Sequence, residues 1–149
     1  MKSLYILISL SLITFSFGTI TFGFESGQSV QSGSNVQITL TATNDDENNA
    51  VTFTAVTGLI LTDGSNQVTI DCTGISSSEV GASGSGTVTC VLASITAGTY
   101  SLSTQTPPQI TVSGTATNAA ASNTNSLTVT ASQQQEQQQE QQQEQEQQQ

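Results

Sequence analysis

The chain has one basic side chain, Lys2, and no histidine or tryptophan, against eleven aspartate and glutamate residues. Lysine and arginine are the groups that neutralise phosphates, so this composition excludes a nucleic-acid-binding surface. The same lack excludes a patch that binds anionic lipid headgroups. Imidazole bases and lysine nucleophiles are also excluded from the body of the chain. The polar chemistry that remains is that of carboxylates, hydroxyls and amides.

The long apolar run of the chain lies at its start, in MKSLYILISLSLITFSFG. Lys2 precedes this run, and Ser16 and Gly18 are the small residues that a signal peptidase reads three and one positions before its cut. We therefore predict a signal peptide over residues 1–18, a mature chain that starts near Thr19, and secretion to the extracellular space. A membrane anchor is the alternative, but the run is short for a span. No membrane insertion of the mature chain is expected.

Helix signals are nearly absent, whereas short runs that alternate apolar residues with threonine and serine predict β-strands. Clusters of glycine, asparagine, aspartate and serine separate these runs and are typical of turns. About seven or eight strands in one domain over residues 19–131 favour an all-β fold, a single antiparallel β-sandwich.

The segment CVLASITAGTYSLS places a strand, a corner, and then Ala-Gly-Thr-Tyr at the start of the next strand. It resembles the E–F corner of immunoglobulin-like (Ig-like) domains, in which a tyrosine bonds back to the corner backbone. Over about residues 25–131 the chain thus resembles early-set Ig-like β-sandwich modules of secreted or surface proteins, of IPT/TIG type or of the Ser/Thr-rich cell-wall type. Such modules carry no catalytic residues to transfer. The resemblance implies strands B at Asn35–Thr43, C at Ala50–Val56, D at Gln67–Thr73, E at Gly86–Leu92, F at Thr99–Gln105 and G at Asn125–Ala131, with Ile110–Val112 extending F or lying in the F–G connection.

Cys72 and Cys90 are the two cysteines of the chain. Both fall on the apolar side of their predicted strands, and in an oxidising compartment such a pair predicts a disulfide. A metal site is the alternative, but two thiolates without histidine make a poor zinc site. In the Ig-like lettering the bridge joins neighbouring strands D and E, whereas antibody domains bridge B to F and pack the bridge on a tryptophan.

The densest acidic cluster, NDDENN, occupies the predicted B–C turn. Calcium takes about six to eight oxygen ligands, and Asp45, Asp46 and Glu47, joined by Glu79 from the D–E loop, would supply carboxylates. The alternative is a solvated turn whose aspartate and asparagine side chains hold the backbone. No other cofactor is predicted. Asp63 predicts a structural turn between C and D, and Asp71 is predicted to face solvent.

Three long polar loops follow strands B, D and F, and in an Ig-like topology they gather at one end of the sandwich. Loops held at one end of a rigid scaffold are a usual place for recognition. Connections that bind nothing are the alternative. The predicted partner is an unidentified protein or glycan, and the candidate binding residues are Asn44, Asn48, Asn49, Ser83, Asn118 and Asn123.

These features predict a secreted, non-catalytic module for extracellular or cell-surface recognition or adhesion. The alternative is a structural subunit of a coat, wall or fibre, which self-associates through strand edges that carry no lysine and offers its apolar TITFGF segment to a neighbour. A glycosidase pair of carboxylates needs a cleft with aromatic side chains. The sequence therefore predicts no enzyme, because few aromatics follow residue 18, namely Phe22, Phe24, Phe53 and Tyr100.

Residues 132–149 read SQQQEQQQEQQQEQEQQQ. Their low hydrophobicity predicts a disordered, solvating tail. Self-association or partner binding is the alternative, since glutamine tracts form side-chain ladders, although interspersed glutamates oppose this.

Overall fold

The computed structural model describes residues 18–72 and 78–132, together with the single residue Gln143. The predicted signal peptide before Gly18 and most of the predicted tail lie outside the described residues. The prediction of an all-β fold is confirmed. The strands, in chain order, are β1 Ile20–Gly23, β2 Ser29–Gln31, β3 Gly33–Asn44, β4 Val51–Phe53, β5 Val56–Thr62, β6 Gln67–Cys72, β7 Ser78–Val80, β8 Ser85–Ile95, β9 Gly98–Leu102, β10 Gln109–Val112, β11 Thr115–Asn118, β12 Ala120–Ala121 and β13 Ser126–Thr130.

The strands pair into two larger sheets and one short ribbon. The first sheet has the order β12-β1-β3-β8, and the second has the order β11-β10-β5-β9-β13-β2, with β6 also paired to β5. Strands β4 and β7 form the ribbon. Two pairs are parallel, β1 with β12 and β2 with β13, and the other pairs are antiparallel.

The core lies between the buried faces of the two larger sheets. Alternate residues of β3 and β8, such as Leu40 and Val88, are buried from the first sheet, and Leu61 and Leu127 are buried from the second. They belong to one hydrophobic cluster. Burying each such aliphatic side chain contributes about 1.5–3 kcal/mol relative to leaving it in water.

The predicted strand C is corrected by the structure. Residues Ala50–Val56 were predicted as one strand, but the chain forms β4, breaks, and then forms the longer strand β5. The break at Thr54 and Ala55 explains the difference, because β4 pairs with β7 in the ribbon whereas β5 pairs with β6, β9 and β10 in the second sheet. Within β5, a β-bulge shifts the register of its pairing with β6 between Val56 and Leu59. Gly58 in the bulge has φ 72°, a left-handed conformation that favours glycine. The bulge changes which alternate residues face the core, so period-two alternation fails across it.

Asp71 has a second role beyond facing solvent. Its side chain is exposed as predicted, and its carboxylate accepts a hydrogen bond from the backbone N–H of Gly58 at 2.9 Å. The bulge would otherwise leave this N–H without a ladder partner. Asp71 therefore fixes the bulge in β5 from the neighbouring strand β6.

The predicted disulfide is confirmed, but its position in the fold differs from the prediction. Cys72 and Cys90 are bonded, with their Cα atoms 4.9 Å apart. Cys72 ends β6, which pairs with β5 in the second sheet, whereas Cys90 lies in β8 of the first sheet. The bridge therefore joins the two sheets rather than neighbouring strands of one sheet. Such a bond is compatible with an oxidising compartment.

The other predicted strands agree with the structure to within a few residues. Strands B, E, F and G correspond to β3, β8, β9 and β13. The segment at Ile110–Val112 extends strand F, because β9 and β10 both pair with β5, through Leu102 and Ile110 respectively. Two prolines, Pro107 and Pro108, separate β9 from β10, as expected for residues that have no N–H to give a ladder.

Tyr100 makes the corner bond that the sequence predicted. Its ring is buried, and its hydroxyl donates to the carbonyl oxygen of Thr96 at 3.2 Å and lies 3.0 Å from the Thr96 side-chain hydroxyl. Gly98 permits this packing, since a Cβ there would stand 3.3 Å from the tyrosine ring. The turn between β8 and β9 is thus fastened to the start of β9.

We expect Tyr100→Phe to lower the free energy of unfolding by about 1 kcal/mol, because it removes this bond and leaves the ring in place. Urea unfolding followed by circular dichroism measures the change. Thr96→Val is the matched control, since it removes one hydroxyl and keeps the carbonyl acceptor, so its effect should be smaller. Equal stability of Tyr100→Phe and the wild type would contradict a structural role for the bond.

Candidate functional site

The loop that follows β3 is built around a buried asparagine. Asn44 is 1% exposed, and its side-chain amide donates to the carbonyl oxygens of Asn49 at 2.8 Å and Gly81 at 3.2 Å. Its Oδ1 accepts from the backbone N–H of Asp46 at 3.0 Å. The structure therefore places this predicted binding residue in the interior, where it holds the loop rather than contacting a partner.

Backbone hydrogen bonds join the B–C loop to the loop between β7 and β8. The Asn44 N–H donates to the Gly84 carbonyl at 2.9 Å, and the Ser83 N–H donates to the Asp46 carbonyl at 2.8 Å. The B–C and D–E loops thus lie together, as the sequence predicted. The exposed polar side chains on this loop end include those of Asp45, Glu47, Asn48, Asn49, Glu79 and Ser83.

The two aspartates of the B–C loop bind backbone N–H groups. Asp46 accepts from Asn48 N at 2.8 Å, Asn49 N at 3.0 Å and Gly18 N at 3.2 Å. Asp45 accepts from the backbone N–H of Thr19. In residues 18–72 and 78–132, no three histidine, cysteine, aspartate or glutamate side chains gather as a metal ion would require. The contacts of Asp46 are those expected of a turn in which aspartate side chains hold the backbone, which was the alternative to a calcium site.

Hydrogen bonds lower the pKa of Asp46, chiefly the one from the Asn48 N–H and then the one from the Asn49 side chain. The side-chain amide of Asn66, followed by its N–H, likewise lowers the pKa of Asp63 in the β5–β6 turn. The Asp63 turn thus has the structural role that the sequence predicted. Both carboxylates are on the surface and titrate in contact with water.

Lowering the pH should therefore reduce the stability of the folded protein. A carboxyl group with a lowered folded pKa stabilises the protein above its unfolded pKa, about 3.9, and this contribution is lost as pH falls through the folded value. We expect Asp46→Asn and Asp63→Asn each to flatten the fall in urea midpoint between about pH 5 and about pH 2, and the double variant to flatten it further. Variants that fall as steeply as the wild type would contradict this assignment.

The F–G connection begins beside the ribbon, where Thr111 exchanges backbone hydrogen bonds with Thr54 and Ala55, and then spreads along the first sheet. Its segment β12 runs parallel to β1, so the connection passes from one end of β1 to the other. Asn118 is exposed before β12, opposite Gln109, and Asn123 is exposed after it. The two predicted residues therefore lie at opposite ends of β1.

An open groove of about 620 Å³ lies on the outer face of the first sheet. On its floor Thr21 pairs with Thr43, and Gly23 pairs with Thr41. The Oγ1 atom of Thr41 is buried, so this hydroxyl is not open to the groove. The rim is polar and includes a carboxylate and an amide. The rim residues are Glu25, Ser122 and Asn125.

Asn125 is held at the rim by its own side chain. Its amide nitrogen donates to the Phe24 carbonyl at 2.8 Å, which leaves Oδ1 as the acceptor for other groups. The Phe24 ring is 3% exposed although it lines the groove, so it offers little surface for stacking. The groove thus presents hydroxyl, amide and carboxylate groups on a rigid sheet.

The groove belongs to a wider threonine surface, whose outward threonines the sequence indicates without marking them as a site. Threonines of β3 and β8 face each other on the outside of the first sheet, Thr39 with Thr89 and Thr41 with Thr87. The signal was present in the ITLTATN and TVTC segments, whose threonines alternate with core residues. We use the term threonine face for Thr21, Thr39, Thr41, Thr43, Thr87 and Thr89.

Within the described ranges the structure contains no helix with the length and apolar character that a membrane crossing requires. Comparison with known protein families and with curated proteins finds no match to this chain.

Proposed function

We propose that this protein is a secreted, non-catalytic recognition module with an Ig-like β-sandwich fold. The strand order supports the fold, since β2, β13, β9 and β5 follow one another as A′, G, F and C do in Ig-like domains, while β1, β3 and β8 take the places of A, B and E. On this lettering β6, beside β5, is strand C′ rather than D. The corner bond of Tyr100 supports the same assignment.

The groove on the threonine face is the observation that carries the function. Threonine and serine hydroxyls both donate and accept hydrogen bonds, as sugar hydroxyls do. The side chains that line the groove include Glu25 and no cation, so a phosphate or sulfate group would be repelled. The ligand class that fits is a neutral glycan. The groove offers little aromatic surface for stacking, so we expect a dissociation constant of about 1 mM for one site. Multivalent display would strengthen the binding.

A glycan array probed with the secreted protein tests this proposal, and two matched variants localise the binding. Thr43→Arg places a bulky cation in the groove, whereas Thr89→Arg places the same side chain on the same face outside it. We expect the wild type and Thr89→Arg to retain neutral glycans and Thr43→Arg to lose them. No retention of neutral glycans by the wild type, or equal behaviour of the two variants, would reject the groove as the site.

A structural role through strand edges is the second candidate, and β8 favours it. This strand of 11 residues is the last in the first sheet and contains neither a charged residue nor proline. Among the described strands, only β3 pairs with it. Unblunted edges of this length template pairing with another chain. The TITFGF segment is less suited to this role than predicted, because β1 is paired on both sides.

Sedimentation across a concentration series separates the two candidates. Assembly through β8 predicts a mass that rises with concentration and a Val91→Lys variant that stays monomeric, since lysine on an edge strand opposes pairing. Val91 is 51% exposed, so the substitution leaves the core intact. Recognition by a single module predicts a monomer for both chains.

A further inference from the structure

We propose that the Gly18–Thr19 bond is the maturation cleavage site, and that the α-ammonium released on Thr19 binds the Asp45 carboxylate as the intramolecular ion pair of the mature chain. This inference rests on the secretion part of the proposed function. To the predicted cut after Gly18 it adds a binding position within the fold for the new terminus.

The binding position of the new terminus lies at the start of the described chain. The Thr19 nitrogen donates to Asp45 Oδ1, and the Thr19 carbonyl accepts from the Asp45 N–H at 3.3 Å. Thr19 is thus held to Asp45 through both of its backbone groups. Strand β1 begins at the next residue, Ile20, and pairs there with Asn44, which directly precedes Asp45. The position of the Thr19 nitrogen is therefore set by the first pair of the sheet.

The contact between the new terminus and Asp45 matters because the chain has almost no cationic groups. Lys2 is the one lysine or arginine in the sequence, histidine is absent, and cleavage after Gly18 would remove Lys2. The new α-amine, with an ordinary pKa of about 7.7–8.0, would then be the one cationic group of residues 19–149. A hydrogen bond that is already made to an aspartate would become charge-assisted and stronger.

The proposed cleavage is a simple hydrolysis by a signal peptidase. The bond between the Gly18 carbonyl carbon and the Thr19 nitrogen breaks, and water supplies the hydroxyl to the carbon and a proton to the nitrogen. Gly18 leaves as a carboxylate, and the freed amine takes up the proton that this carboxyl group releases. No oxidant or reductant is needed.

Gly18 meets the requirement of the proposed cleavage, and in the uncleaved chain it also lies close to Asp46. A signal peptidase needs a small residue just before its cut. In the structure a Cβ at Gly18 would stand 2.5 Å from the Cβ and backbone nitrogen of Asp46, which no side chain tolerates. This contact exists only while Gly18 is attached, so it is not a requirement of the mature chain.

The absence of lysine after residue 2 makes the acetylation test specific for the new N-terminus. In a chain that starts at Thr19, an amine-reactive acetylating reagent has one target, the α-amine. The full-length chain is expressed in a secreting host, the exported protein is sequenced from its N-terminus, and the rate of acetylation at pH 7 is followed by intact mass. We expect the sequence Thr-Ile-Thr-Phe.

Asp45→Asn should acetylate about threefold faster than the wild type, because a surface ion pair protects the protonated amine by a factor of this order. Glu47→Gln is the matched control, since it removes one carboxylate from the same loop, and it should react at the wild-type rate. A first residue other than Thr19, or equal rates for Asp45→Asn and the wild type, would overturn the proposal.

The outcomes also separate this inference from the proposed function. A chain that remains in the cell with Lys2 attached would reject secretion, and the ion pair with it. An exported chain that begins at Thr19 and shows the Asp45 effect, but binds no glycan, would support the ion pair and reject the recognition site alone.

Discussion

Asn44→Ala should lower the free energy of unfolding by about 3 kcal/mol. The substitution removes a buried amide and leaves the carbonyl groups of Asn49 and Gly81 and the N–H of Asp46 without that partner. Buried polar groups that lose their partner cost about 1–3 kcal/mol each, and the loop can recover part of that through water. Urea unfolding at pH 7 measures the loss.

Asn48→Ala is the matched control for this prediction. Asn48 lies in the same loop, is exposed, and contributes its backbone N–H to Asp46. Its truncation should change stability by less than about 0.5 kcal/mol. Asn44→Asp should also destabilise the protein. Its buried carboxylate would face the two carbonyl oxygens that now accept hydrogen bonds from the Asn44 amide. If Asn44→Ala unfolds at the wild-type urea concentration, the loop end is not held by this side chain.

Reducing the disulfide should cost about 3 kcal/mol, which is the loop-closure value for a bridge of this span. Cys72 and Cys90 are separated by 18 residues, and their bond fastens the second sheet to the first. The reduced wild type keeps both sulfur atoms in the core, so its loss of stability measures the contribution of the cross-link alone. The urea midpoint with and without reductant measures it.

The double variant Cys72→Ala, Cys90→Ala should lose more than the reduced wild type. Both side chains are at most 2% exposed, so their truncation also leaves unfilled space in the core. A reduced protein with an unchanged urea midpoint would show that packing alone holds the sheets together.

The strands that the sequence predicted best are those with unbroken alternation. Strand β3 keeps one parity from Ile38 to Asn44, and β8 keeps it from Val88 to Leu92, so both were placed to within a few residues. Strand β5 was misplaced because the alternation of buried residues breaks between Phe53 and Val56, where the chain passes from the ribbon to the second sheet. Alternation also says which face of a strand is buried but not which strand it pairs with, which is why β6 was assigned to the wrong sheet.

The site was predictable in its position and not in its details. Clusters of asparagine and aspartate marked the B–C and D–E loops, and the structure brings these loops together. Nothing in NDDENN distinguishes the buried Asn44 from the exposed Asn48, because composition does not reveal which amide finds carbonyl partners. The groove was missed for a related reason, since outward threonines are equally typical of a bare solvated sheet.

Under the proposed recognition role, the threonine face would present binding groups at regular spacings, because it is built on one sheet. Neighbouring strands lie about 4.8 Å apart, and alternate residues of a strand lie about 6.8 Å apart, so the hydroxyls stand on a two-dimensional lattice. Under that proposal, a linear polymer whose own repeat is commensurate with either spacing would bind in several equivalent registers. Each added register raises the statistical weight of the bound state, and a bound polymer can move between registers without leaving the surface. Repeating ligands would thus be favoured over single sugars of the same chemistry.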